Sequence, residues 1–157
     1  MPHIHDAIDF TVEVFVVYKD KVLLRKHDKY KMWLSVGGHI EPDEDPNQAA
    51  VREVREEVGL DVVLADGMLP FRHDTPKYKE LIPPKFLNRH RIGDTHEHVA
   101  MTYFGRATTN DIKEPEHDEV SGGCRWFTRE ELDDPSWGID EHIIMYAQQA
   151  LKELGQK

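Results

Sequence analysis

The segment from Asp45 to Gly59 constrains this chain more than any other, because it writes a helix with both ends marked. Asp45 is a residue type whose side-chain oxygen accepts from the free backbone N–H groups at a helix start. Gln48 stands three residues on, where its own side chain reaches back to the cap. Pro46 falls at the first helical position, where a missing N–H costs nothing. Ala50, Val54 and Val58 recur every four residues and make one apolar stripe that must face a core. Gly59 supplies the left-handed residue that ends such a helix. A helix specified this way needs another layer to cover its stripe.

The flanking sequence supplies that layer. Phe10 to Tyr18 is β-branched and aromatic and reads as a buried strand. Lys19-Asp20 marks a turn, so Val22 to Arg25 forms a hairpin with it. Trp33 to Val36 runs into Gly37-Gly38, a sharp break. Asp61 to Ala65, His98 to Phe104 and Arg125 to Phe127 read as further strands. Thr128 with Glu131 repeats the capping-box pattern. A last helix runs from about Asp140 to Leu154, with Ile143, Ile144, Ala147, Leu151 and Leu154 inward. Residues 70–96 are polar and Pro-containing and read as one long loop, a length that is usually functional or mobile. Strands and helices mix without regular βαβ alternation, which predicts an α+β fold with a mixed sheet.

At 157 residues the chain fits one domain, 1–157, able to bury a core without staples. The single cysteine, Cys124, forms no intramolecular disulfide and reads as a core thiol, which points to a reducing, cytoplasmic setting. The start of the sequence shows no signal-peptide pattern, and no apolar run approaches the ~18 residues of a membrane span. A formal charge of −10 argues against long nucleic acid as a partner. It leaves room for a small phosphorylated ligand whose charge a bound metal offsets. The ten histidines look scattered and read as surface and loop residues. A homodimer is kept open as the assembly.

On a helical wheel Glu53, Glu56 and Glu57 fall within about 100° of arc, beside the apolar stripe. Like charges at these spacings repel by a few tenths of a kcal/mol each, a cost a merely structural helix has little reason to carry. Oxygen-only ligands with room for water suit Mg²⁺ or Mn²⁺. Arg52, four residues before Glu56, is placed to hold it. Three carboxylates alone also describe a solvated acidic face. The rest of the segment separates the two readings.

From Gly38 the chain reads Gly38-x5-Glu44-x7-Arg52-Glu53-Val54-x-Glu56-Glu57-x-Gly59-Leu60. This resembles the signature of the Nudix hydrolases at every defining position. Trp33 and Gly37 before it, and Trp126-Phe127-Thr128-x-Glu130-Glu131-Leu132 after it, extend the resemblance loosely over most of the chain. Val36 stands where many members carry proline, a departure that bears on loop stiffness rather than chemistry.

The resemblance implies an α/β/α sandwich with a mixed central sheet and a catalytic loop–helix–loop. It implies a Mg²⁺- or Mn²⁺-dependent hydrolase that cleaves a diphosphate linkage in a nucleoside diphosphate joined to another group. Glu53, Glu56 and Glu57, with the backbone carbonyl of Gly37, match the family's metal ligands. Glu53 matches a position that serves as ligand, general base, or both. Gly38, Glu44, Arg52 and Gly59 match the scaffold of the motif. A further catalytic carboxylate often comes from outside it, and Glu97 is the first choice over Glu116 and Glu119. His96 and His98 are placed to contact phosphate or base.

Residues 72–91 carry six basic residues against two acidic ones, a local basic stretch suited to substrate phosphates. Arg72 and Arg89 are the candidate phosphate contacts, and Tyr78 and Phe86 the candidate base-stacking rings. Pro76 resembles a mark of the ADP-sugar type and Tyr78 one of the dinucleoside-polyphosphate type, so the substrate stays open. A catalytically silent nucleotide-binding module is the alternative reading. An isoprenoid diphosphate isomerase would need a catalytic thiol, for which Cys124 is poorly placed.

Overall fold

The computed structural model describes residues 3–27, 29–67, 73–113 and 123–156. Among these residues ten strands and three α-helices follow in order, with one short 3-10 helix (Pro135–Trp137) before the last: β1 (Ile8–Tyr18), β2 (Lys21–His27), β3 (Met32–Leu34), β4 (Val36–His39), α1 (Pro46–Val58), β5 (Val62–Leu64), β6 (Asp74–Thr75), β7 (Tyr78–Lys79), β8 (Phe86–Arg91), β9 (Glu97–Ala107), β10 (Cys124–Phe127), α2 (Arg129–Leu132) and α3 (Glu141–Leu154). The main sheet runs β10-β2-β1-β9-β5, with β3 on β2, β4 on β1 and β8 on β9. β1 and β9 are parallel and the other pairs antiparallel, so the sheet is mixed. β6 and β7 form a small separate hairpin.

β1 shows why the layers form. Its side chains alternate between faces. Val12, Val14 and Val16 enter one core with Ala49, Ala50, Val54 and Val58 of α1. Phe15 and Val17 enter the other with Ile143, Tyr146, Ala147, Ala150 and Leu151 of α3. Each fully buried aliphatic or aromatic chain contributes roughly 1.5–3 kcal/mol. The result is the expected α/β/α sandwich. Ile144 and Leu154 sit at the margin of the second core, half-buried, while Tyr146 and Ala150 take the interior. Cys124 is half-buried against the first core.

Three expectations change. Residues 70–96 are not one loop. Their described part holds the β6–β7 hairpin and β8, which pairs with β9 from Phe86↔Thr102 to Arg91↔Glu97. β8 lies at a sheet edge, and its Asn88-Arg89-His90-Arg91 run is the polar sequence such an edge carries. Gly37-Gly38 is no break either. Both glycines lie inside β4, opposite Glu13 and Val12 of β1. The histidines are not all at the surface: His39 and His96 are buried, and both lie within 3.2 Å of the carboxylate of buried Asp9.

Candidate active site

The helix start forms as the sequence predicts. The Gln48 N–H donates to Asp45 at 2.9 Å, and the Asp45 N–H donates to the Gln48 side chain at 2.9 Å. Gly59 ends the helix at φ +67°. With both ends fixed, one flank of α1 runs along β4. Glu57 meets Gly37, Glu53 meets Gly38 and Arg52 meets the carbonyl of His39.

The two glycines are there for close approach. A Cβ on Gly38 would collide with the Glu53 carboxylate, and one on Gly37 with the Val12 carbonyl oxygen. Neither glycine has positive φ, so the requirement is space rather than backbone conformation.

Arg52 is the hub. Its Nε and Nη2 donate to the two oxygens of Glu44 at 2.9 and 2.6 Å, a bidentate pair. Nη2 also donates to the His39 carbonyl at 3.0 Å. Nη1 donates to Glu53 at 2.9 Å and to Glu56 at 3.0 Å. Sharing one donor keeps those two carboxylate oxygens within about 6 Å of each other. The hydrogen bond from Arg52 holds the Glu44 carboxyl below its ordinary range, and the same bond holds Arg52 firmly charged. Glu53 is only 3% exposed, and burial raises its pKa against the opposing pull of Arg52.

Glu57 is gripped from the other side. One oxygen accepts from the Gly37 N–H at 3.2 Å and the other pairs with Arg25 Nη1 at 3.0 Å. Arg25 belongs to no motif of the sequence, and its one signal is a lone cation closing the apolar run Val22-Leu23-Leu24 of a buried strand. Glu13, opposite Gly37 on β1, likewise belongs to no motif. Glu13 faces away from α1, accepts from Thr102 Oγ1 at 3.2 Å, and has its pKa raised by burial.

Other candidates lie elsewhere. Glu97 aligns with Ile8, four residues before Val12, the partner of Gly38. That is roughly 13 Å down the strands from the helix carboxylates. Glu97 pairs there with Arg89 at 3.2 Å and Arg91 at 3.8 Å. The structure therefore does not bring Glu97 to the α1 carboxylates, and it engages Arg89 in an ion pair. Phe86 packs into the core against Tyr146 and Phe104 instead of offering a ring to a base. Tyr78 is 56% exposed on the β6–β7 hairpin, its hydroxyl donating to Glu80 at 2.8 Å. Next to it, Lys79 lines an open cleft of about 580 Å³ with Val51, Arg52, Arg55 and Glu56. His96 and His98 belong to a cluster around Asp9. Arg72, Glu116 and Glu119 lie outside the described residues.

The Nudix domain model matches residues 9–147, and the chain belongs to this family. A Nudix-family hydrolase structure from Clostridium perfringens superposes with a TM-score of 0.80 at 33% identity, covering 93% of this chain and 97% of that one. CTP pyrophosphohydrolase of Escherichia coli (strain K12) is 40% identical over 88 residues, 53% of this chain and 65% of that protein. RNA pyrophosphohydrolase of Gluconacetobacter diazotrophicus is 34% identical over 117 residues, 71% of this chain and 66% of that protein. The chain thus spans a little under two thirds of the length of these two relatives. Among the described residues no helix is long and apolar enough to cross a membrane.

Proposed function

We propose that this chain is a hydrolase that cleaves a diphosphate linkage in a nucleoside diphosphate joined to another group, with Mg²⁺ or Mn²⁺ as cofactor. One observation carries the reading: a single turn of α1 presents Glu53, Glu56 and Glu57, held by Arg52, Arg25 and the Gly37 N–H. The names of the two pyrophosphohydrolase relatives support it.

The donor set fits a hard divalent cation. It is oxygen-only, and one member, Glu53, is buried with a raised pKa that a neighbouring cation would bring down. Glu53, Glu56, Glu57 and the Gly37 carbonyl are the residues we assign to hold it. When bound, such an ion acidifies a water and neutralises charge on phosphoryl oxygens. The protein groups do the rest. Glu53 is the first choice to accept the water's proton, because burial makes its carboxylate more basic than an exposed one. Glu56, with a side chain 60% exposed, is the second. Arg52 fixes the spacing of both and is itself anchored by Glu44.

The cleft beside Arg55 and Lys79 is the approach we assign to the substrate phosphates, with Tyr78 on the same hairpin. Arg72 is kept as a further phosphate contact, and Arg89 as a weaker one because of its ion pair with Glu97. The working picture is one domain over residues 1–157, in the cytoplasm, acting on a small nucleotide-like ligand with no long nucleic acid or membrane as partner. A homodimer is the assembly to test.

The deciding experiment incubates the full chain with Mg²⁺ or Mn²⁺ and a panel of nucleoside triphosphates, ADP-sugars and dinucleoside polyphosphates, with product identification. Release of a nucleoside monophosphate from at least one compound is expected. Nucleotide binding with no turnover under any of these conditions would instead establish a silent binding module.

A further inference from the structure

We propose that His3, Asp9, His96 and His98, with His39 alongside, form a second metal site, suited to Zn²⁺, on the sheet face away from α1. The placement follows from register. Val12 and Val14 face α1, so Asp9 and Thr11 face the opposite side. His98 pairs with Asp9 and His39 with Thr11, which puts both on that same face. The sheet therefore separates this cluster from the helix carboxylates.

The ligand atoms are gathered closely enough to converge on one ion after small side-chain movements. One ligand atom from each of His3, Asp9, His96 and His98 lies within 4.8 Å of all the others. Asp9 Oδ2 stands 3.1 Å from His3 Nδ1, 3.2 Å from His39 Nε2 and 3.1 Å from His96 Nε2. Nitrogen and oxygen ligands on one tetrahedral Zn²⁺ at roughly 2.0–2.1 Å lie about 3.3 Å from one another. Nitrogen-rich sites with one carboxylate favour Zn²⁺ over Mg²⁺.

Hydrogen bonding alone accounts poorly for the cluster. His96 Nδ1 is 3.1 Å from the Asp6 carbonyl oxygen, which only accepts, so Nδ1 carries the proton. In a neutral ring Nε2 is then a bare lone pair aimed at the Asp9 carboxylate, an acceptor facing an acceptor. Either a second proton on the ring or a shared cation removes the conflict, and the Asp6 carbonyl is the outer partner that would orient a metal-bound imidazole. One carboxylate oxygen also cannot accept well from three imidazoles at once. His39, only 7% exposed, is left with its buried Nε2 3.2 Å from that oxygen but outside hydrogen-bond geometry, and His98 Nε2 is buried with no hydrogen-bond partner among the described residues. The other Asp9 oxygen is held by the His5 and Ile4 N–H groups at 2.8 and 3.2 Å, which fixes its direction. An ion here would clamp the N-terminal residues to the starts of β1 and β9 and to His39, the residue after Gly38.

The test uses the full chain, stripped with chelator, returned to millimolar Mg²⁺ with micromolar Zn²⁺, then desalted. Metal analysis should find about one zinc per chain. Co²⁺ in its place should give the strong visible bands of a four-coordinate ion. E57Q should keep the zinc, while H96A/H98A should lose it. H3A, at an exposed ligand, guards against a folding defect in the double variant and should shift the cobalt spectrum with an unchanged circular dichroism spectrum. Substoichiometric zinc in the wild type, zinc lost in E57Q, or zinc and cobalt signals unaltered in both histidine variants would each overturn the proposal.

Discussion

Arg25 of β2 closes on Glu57 of α1 at 3.0 Å, joining a residue of the sheet to the helix turn to which we assign the metal ligands. The pair is mostly buried, with side chains 13% and 20% exposed. With the Gly37 N–H on its second oxygen, Glu57 has one orientation and no need to search for it. Arg25→Ala should therefore lower kcat/KM by about 10–100-fold, the usual cost of losing a partner that orients a metal ligand. Arg25→Lys should recover part of it. Steady-state kinetics across a Mg²⁺ series checks this, and unchanged kinetics in the alanine variant would remove the positioning role.

The carboxylates themselves should separate by function. Glu57→Gln is expected to abolish Mg²⁺-dependent turnover while the circular dichroism spectrum stays native. Glu53→Gln should lose about 10²–10⁴-fold in kcat if it takes the water's proton. A loss under tenfold would move that role to Glu56.

Gly38 offers a test of close approach. A Cβ there meets the Glu53 carboxylate, the movable end of a side chain, not backbone. Gly38→Ala should displace Glu53 and cut kcat severely while lowering Tm only modestly. Equal activity with a large drop in Tm would mean that the glycine serves packing alone.

Glu44→Gln should expose the scaffold role through pH. In the folded chain Arg52 holds the Glu44 pKa below its ordinary 4.5. The stability from that shift is present in full above the ordinary value and drains away as pH falls through the lowered one. Glu44→Gln should thus cost about 1.5–3 kcal/mol near neutral pH, the worth of a hydrogen bond to a charged group. The gap from wild type should narrow below pH ~4. Denaturant titrations at the two pH values measure it. A gap of constant size would show that charge is not what Arg52 needs.

Glu97→Gln is expected to leave kcat within about threefold of wild type, because its carboxylate pairs with Arg89 and Arg91 roughly 13 Å along the strands from the α1 carboxylates. A collapse of turnover in this variant would mean that the residue reaches the reaction by a movement absent from this structure.

How much was legible beforehand follows the range of each signal. The capping box at Asp45, the Ala50-Val54-Val58 stripe and the stop at Gly59 are local, since each depends on residues within a turn or two. The Arg52–Glu56 pair is local too, and it forms. β8 was hidden because an edge strand needs only one partner and keeps polar side chains for solvent.

The sequence by itself determined the helix, its acidic flank, the alternating central strand and the family to which they belong, because periodicity and capping are properties of neighbours along the chain. Only the tertiary structure decided that Arg25 holds Glu57, that Glu97 stands apart from the helix, and that His3, His39, His96 and His98 meet at Asp9. Those meetings are set by strand register, which joins residues as far apart as Asp9 and His98. No short-range pattern encodes such a pairing.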